Sequence, residues 1–167
     1  MKSKALIIFL CVIVLGCTKK SNINVVLSTN LTNCPANYTC AYSYFDNADF
    51  KNWYQPVHGN YRVFWYKSVD SALCSATSTF YFKTPMSQGD FDITANQIAS
   101  GQVFAQNFEC PCCDFASITK PIGGEIKGKK TDATHWLVNA TIVFGTSFDK
   151  PIDTLVVNQY FSQQKLP

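Results

Sequence analysis

The sequence predicts an all-β fold, an antiparallel β-sandwich or barrel with room for one short helix. Two observations predict it. Apolar residues alternate at period two near the C-terminus, and several short segments rich in Tyr, Phe, Trp, Val or Thr are bounded by Gly, Pro, Asn or Asp. Outside one segment there is no sustained 3.6-residue stripe. Composition sets the frame: of 167 residues, 47% are hydrophobic and only 15% charged, which excludes a disordered chain and a coiled coil, both far richer in charge. At roughly 100 to 200 residues per domain the chain makes one domain, and its 13 Phe, 8 Tyr and 3 Trp fill a sizeable core.

The first expected strand runs from Tyr38 to Phe45, the second from Tyr61 to Lys67 and the third from Ser78 to Lys83. In the second, Tyr61 to Tyr66 is large and apolar on both faces, which suits a strand covered on both sides. The segment from Phe91 to Phe108 is mixed: Ala95, Ile98, Ala99 and Gln102 form a helical stripe that Gly101 can end, whereas Val103 to Phe108 reads as strand. Glu125, Lys127 and Lys129 alternate with Ile126 and Gly128, and the turn Thr131-Asp132-Ala133-Thr134 leads into Trp136, Val138, Ala140, Ile142 and Phe144 on one face of the next strand, a hairpin. Leu155, Val157 and Phe161 repeat the pattern. About seven to nine short strands with intervening turns argue for the sandwich or barrel.

The N-terminus reads as an address. Two lysines, Lys2 and Lys4, precede the uncharged run Ala5 to Gly16. As a helix this run is about 18 Å long at about 1.5 Å per residue, too short for a hydrocarbon core of about 30 Å. It is the h-region of a signal peptide, residues 1–16. Val14-Leu15-Gly16-Cys17 resembles the lipobox of bacterial lipoproteins, a small residue directly before a cysteine at the end of the h-region. The resemblance covers only this segment. It implies a diacylglycerol on the Cys17 sulfur, cleavage before Cys17 and acylation, by chains such as palmitate, of the new N-terminus. Two or three chains, at about 0.8 kcal/mol per buried CH2, anchor stably where one does not. Thr18 is not the aspartate that retains enterobacterial lipoproteins in the inner membrane, and the residues after Cys17 lack the acidic cluster of surface-exported lipoproteins of the Bacteroidota type. The resemblance therefore implies the periplasmic face of the cell outer membrane. Beyond the lipobox the chain resembles only small Bacteroidota-type lipoproteins, which adds no activity. Residues 17–33 are expected to be the lipidated N-terminus and tether, and residues 34–167 the single β domain.

Removing Lys2 and Lys4 from the 14 Lys and Arg leaves 12 against 11 Asp and Glu, a balance that predicts no nucleic-acid partner. Six cysteines remain in an oxidising compartment: Cys34, Cys40, Cys74, Cys110, Cys112 and Cys113. Structural disulfides are the first reading, with fifteen connectivities open. Adjacent cysteines on an extended chain point in opposite directions. At least two of Cys110, Cys112 and Cys113 are therefore expected to reach distant partners among Cys34, Cys40 and Cys74, pinning the N-terminal segment and the strand around Cys74 to the middle of the domain. The alternative is a thiol-based redox or metal-handling protein using Cys110, Cys112 and Cys113, although the spacing matches no standard zinc pattern.

The sequence contains no nucleophile elbow, P-loop, dinucleotide fingerprint or H-E-x-x-H helix, so no catalytic residue, cofactor or metal is assigned. His58 and His135 read as surface histidines at turns. Asp46-Asn47-Ala48-Asp49 and Asp90-Phe91-Asp92 supply oxygens of the kind calcium prefers, but without the Gly and terminal Glu of a calcium loop, and Asx-rich turns share that composition. The dense aromatic stretch Phe45 to Tyr66 is more suggestive. Trp53 and Tyr54, in the loop-like Asp49 to Pro56, are the candidates for a ligand surface, since glycan-binding β-sandwiches present rings in loops. The expectation is a membrane-tethered, non-catalytic binding or structural protein of the envelope, with a protein or glycan partner.

Overall fold

The computed structural model describes residues 25–50, 55–109, 120–146 and 148–166. It is mostly β: a curled sheet forming a half-barrel, with one short helix. In chain order the strands are β1 (Tyr38–Asp49), β2 (Val57–His58), β3 (Tyr61–Asp70), β4 (Ala76–Pro85), β5 (Phe91–Ile93), β6 (Val103–Glu109), β7 (Lys120–Lys130), β8 (His135–Gly145) and β9 (Pro151–Gln163). Seven long strands run side by side in the order β7-β8-β9-β1-β3-β4-β6, with β5 on the outer edge of β7 and β2 beside the end of β1. The expected strands and the hairpin are all present. One pairing departs from the antiparallel expectation, because β9 runs parallel to β1 through Ser43↔Ser162 and Tyr44↔Gln163, which makes the sheet mixed.

The side-chain alternation fixes which face is inside. Trp136, Val138, Ala140, Ile142 and Phe144 of β8 are all buried, as their shared parity predicted. They meet Tyr44 of β1, Phe64 and Tyr66 of β3, Phe80 and Phe82 of β4 and Phe161 of β9 in one aromatic core. β3 is covered on both sides: its outward Val63 is fully buried in a second, small cluster with Phe45 and Ala48, against which Phe50, Trp65 and Leu166 pack. A bulge between Phe45 and Ala48, where Asn47 adopts φ 54°, accompanies this change of packing along β1.

One end of the half-barrel is bridged by a short helical segment. After β5 pairs with β7 at Phe91↔Gly128, the chain turns through α1 (Ala95–Gln97) and a π turn, Ile98–Gln102, before entering β6. Thr94 N–H donates to Gln97 Oε1 at 2.9 Å, fixing the start. Ile98 is fully buried in the core. Gly101, at φ 93°, ends the helix as expected. The missing side chain of Gly128 leaves room for the Phe91 ring, which a Cβ there would strike.

At the other end, Tyr38, Asp70, Ala76, Gly145 and Pro151 begin or end their strands. The cysteines of the described residues gather there. Cys34 is bonded to Cys40, with Cα atoms 5.8 Å apart, and Cys74, in the β3–β4 turn, is also disulfide-bonded. The expectation that the cysteine cluster pins the N-terminal segment, through Cys34 or Cys40, is therefore corrected. The turn at Pro35-Ala36-Asn37, closed by Tyr38 N–H to the Pro35 carbonyl at 3.1 Å and with Asn37 at φ 68°, folds Cys34 back onto Cys40.

The described part of the expected tether is docked on the sheet. Ser28 N–H donates to Asn139 Oδ1 at 2.7 Å, and the Asn158 amide donates to the carbonyls of Ser28 and Asn30. Thr32 N–H donates to the Asn158 carbonyl at 2.9 Å, and Asn158 N–H returns a bond to Thr32 Oγ1 at 3.0 Å. Asn158 is thereby buried yet satisfied. Residues 25–32 form a strap across β8 and β9, and Val25 at its start is buried.

Candidate functional site: two concavities of the half-barrel

The outward faces of β1, β3 and β4 carry a strip of rings. Phe45 lies 6.0 Å from Trp65, and Trp65 stacks on Tyr81 at 5.9 Å with planes 18° apart. Phe50 continues the strip, 5.3 Å from Tyr81, and Lys83 Nζ sits 4.2 Å from the centre of the Tyr61 ring. Alternate residues of neighbouring strands share a face, so Trp65 and Tyr81, direct partners across β3 and β4, must stack on the same side. Beside Trp65 the strip opens into a groove of about 340 Å3, whose floor is Phe45 and Trp65 and whose polar rim is Ser43, Gln55, Gln164 and Lys165. The Trp65 indole N–H is buried without a hydrogen-bond partner.

Trp53 and Tyr54 lie outside the described residues. Their neighbours on either side do not: Phe50 touches the ring strip and Gln55 lines the groove. Sequence reasoning singled out the loop and missed Trp65, which reads as core by its strand context. The signal that could have found it was the run of β3 with large residues on both faces, since one of those faces has to be covered by something other than the main core.

The second concavity is the mouth of the half-barrel at the cysteine end, about 230 Å3, walled by Tyr66, Phe80, Phe144 and Leu155 and edged by Tyr38 and Asp153. The Asp70 carboxylate, hydrogen-bonded to Tyr38, holds that phenol above its ordinary range, and burial does the same for Tyr42. Both stay protonated donors at neutral pH.

Several of the remaining candidates have structural partners. Asp46 pairs with Arg62 at 2.7 Å and Asp49 with Lys83 at 3.0 Å, so these carboxylates neutralise cations of neighbouring strands. Among the described residues no three His, Cys, Asp or Glu side chains are placed to hold a metal ion. His58 is exposed on β2. His135 Nδ1 lies 2.9 Å from Asp132 in the β7–β8 turn, and Thr134 Oγ1 meets the same nitrogen at 3.1 Å. A relay needs its hydroxyl nucleophile on the opposite ring nitrogen, so this trio fastens the turn. The Thr134 backbone N–H and His135 together hold the Asp132 carboxyl below its usual range. Cys110, Cys112 and Cys113 lie outside the described residues, as does Cys17.

No protein-family model matches the chain, and neither a curated protein nor a solved structure shows significant similarity to it.

Proposed function

We propose that the protein is a lipoprotein, anchored through acyl chains on Cys17 at the periplasmic face of the outer membrane, whose β domain is a non-catalytic binding module for an envelope glycan. The groove beside Trp65 is the observation that carries the binding role. An apolar ring floor with a rim of hydroxyl, amide and ammonium groups suits a sugar, which offers a C–H face to the ring and hydroxyls to the rim. The lipobox-like Val14-Leu15-Gly16-Cys17 supports the anchor.

A panel of envelope polysaccharides and their fragments, probed with the full chain, tests this reading. Rim variants are preferable to Trp65→Ala, because Trp65 also packs on Phe45 and Tyr81. Gln164→Ala and Lys165→Ala are each expected to weaken binding about 5- to 10-fold, the loss of about one rim hydrogen bond, with an unchanged melting temperature. A panel without a hit, or variants that bind as the parent does, would remove the glycan role.

One observation favours a second reading, thiol chemistry. Since Cys34 and Cys40 bond each other, Cys74 is the single partner that the domain outside the cluster offers to Cys110, Cys112 and Cys113. Two cluster cysteines are then left to each other, as a short-range disulfide or a dithiol. Alkylation and mass spectrometry of unreduced protein, repeated after mild reduction, are expected to find two thiols of the 110–113 segment released before Cys34 and Cys40. Simultaneous release of all six would leave the cluster a purely structural role.

A further inference from the structure

The strap and the outer face of β9 leave a set of apolar side chains in solvent. Residues Leu155, Val157 and Phe161 of β9 turn inward, so Ile152, Val156 and Tyr160 share the outer face, where they are 50%, 55% and 44% exposed. The strap crosses β9 at Asn158, between Val156 and Tyr160, and adds Val26 and Leu31, 83% and 42% exposed, while Phe148 in the β8–β9 turn is 91% exposed. Single exposed apolar residues are ordinary, but several gathered on one face mark a docking surface. What covers it follows from where the strap begins. Only seven residues, 18–24, separate Cys17 from Val25, and at up to about 3.5 Å for each of the roughly eight steps the span is no more than roughly 28 Å. If Cys17 is acylated, Val25 at the start of the strap stays within that distance of the headgroups, and the face the strap crosses is the one held nearest to the membrane.

We propose that the strap and the outer face of β9 rest on the bilayer surface, with Val156, Tyr160 and Val26 in the interfacial region and Lys150, beside Phe148, at the phosphates. Aromatic and aliphatic residues on one face with a cation at its border are what an interfacial contact requires. The proposal builds on the anchor at Cys17. It gives the domain an orientation in which the outer face of β9 meets the lipid, with Trp65 two strands away across β1 and the groove residues Gln164 and Lys165 directly after β9.

Photo-crosslinking in native membranes tests it, using the full chain with p-benzoylphenylalanine replacing Val156, Tyr160 or, as a control, Lys67 on the outer face of β3. Adducts of phospholipid mass are expected at 156 and 160 at least ten-fold more often than at 67. Equal labelling at all three positions, or protein adducts in place of lipid at 156 and 160, would overturn the docking. All three sites are on the surface side of their strands, and melting temperatures equal to the parent's verify the fold, with Ile152 as a replacement site. The mass of the N-terminal peptide separates the two readings. An acylated Cys17 without lipid adducts removes the docking alone, an unmodified Cys17 removes the anchor, and lipid adducts in a chain with unmodified Cys17 would uphold the docked face by itself.

Discussion

Replacing Phe64 by alanine is expected to lower the unfolding free energy by about 3 to 5 kcal/mol, the range for emptying a buried aromatic site. Phe64 is fully buried. Its ring stacks on Phe82 at 4.7 Å, lies 5.2 Å from Phe91 and meets Trp136 and Phe161 edge-on at 5.7 and 5.9 Å. It thus joins β3, β4, β5, β8 and β9, and no neighbour can collapse into the void without abandoning another contact. At about 2 to 4 °C per kcal/mol for a domain of this size, the midpoint should fall by about 6 to 20 °C in scanning calorimetry. Phe148→Ala, a change of the same size at an exposed position, should move it by less than about 2 °C. A similar small shift for Phe64→Ala would mean that the core is not organised around that ring.

The second large effect is asymmetric. The Arg62 guanidinium is buried, donating from Nε to Asp46 Oδ1 at 2.7 Å and from Nη1 to the Gln88 carbonyl at 3.4 Å, and its centre lies 4.6 Å from the Trp136 ring. Asp46→Ala leaves that cation enclosed with only a carbonyl and ring faces around it. The expected loss is about 2 to 3 kcal/mol, below the full range for a broken buried pair because the Asp46 side chain is 23% exposed. Arg62→Met removes the charge and keeps the volume, and should cost less than about 1 kcal/mol. The double variant should therefore be more stable than Asp46→Ala alone, which urea denaturation of the three proteins can measure. If Arg62→Met is the more damaging single change, the guanidinium acts mainly through its stacking on Trp136, and the ion pair is secondary.

These two sites differ in how far they could be read from the chain. Phe64 stands in a segment whose hydrophobic composition announces a covered strand, and the β8 face was legible because five apolar residues keep one parity from Trp136 to Phe144. The helix at 95–102 was legible for the same kind of reason, a stripe followed by a glycine. Arg62 was not. A cation in an apolar strand can be placed only when its partner is known, and Asp46 stands on another strand at a bulge that no local rule announces. The parallel pairing of β9 with β1 was hidden too, since alternation gives the face of a strand and not its neighbour or direction. The Cys34–Cys40 bond depends on a turn at Asn37, and about twelve of the roughly fifteen connectivities of six cysteines lack that bond. As for the candidate site, the aromatic stretch singled out in the sequence contains Phe45 and Trp65 of the groove, but the residues chosen from it were Trp53 and Tyr54 and not Trp65, because the second face of a strand is assigned by tertiary packing.

The pairing of β9 with β1, and the strap's bonds from Thr32 to Asn158 across 126 positions of the chain, bear on how the molecule is made. A polypeptide emerges from the ribosome N-terminus first, so β1 and the strap must wait for nearly all of the remaining chain before they find their neighbours. Contacts so distant along the chain make for slow assembly, and meanwhile one edge of β1 is open to pairing with other chains. The nascent protein thus depends on being shielded until β9 arrives, and C-terminal truncations reaching into β9 should yield aggregates in place of a shortened barrel.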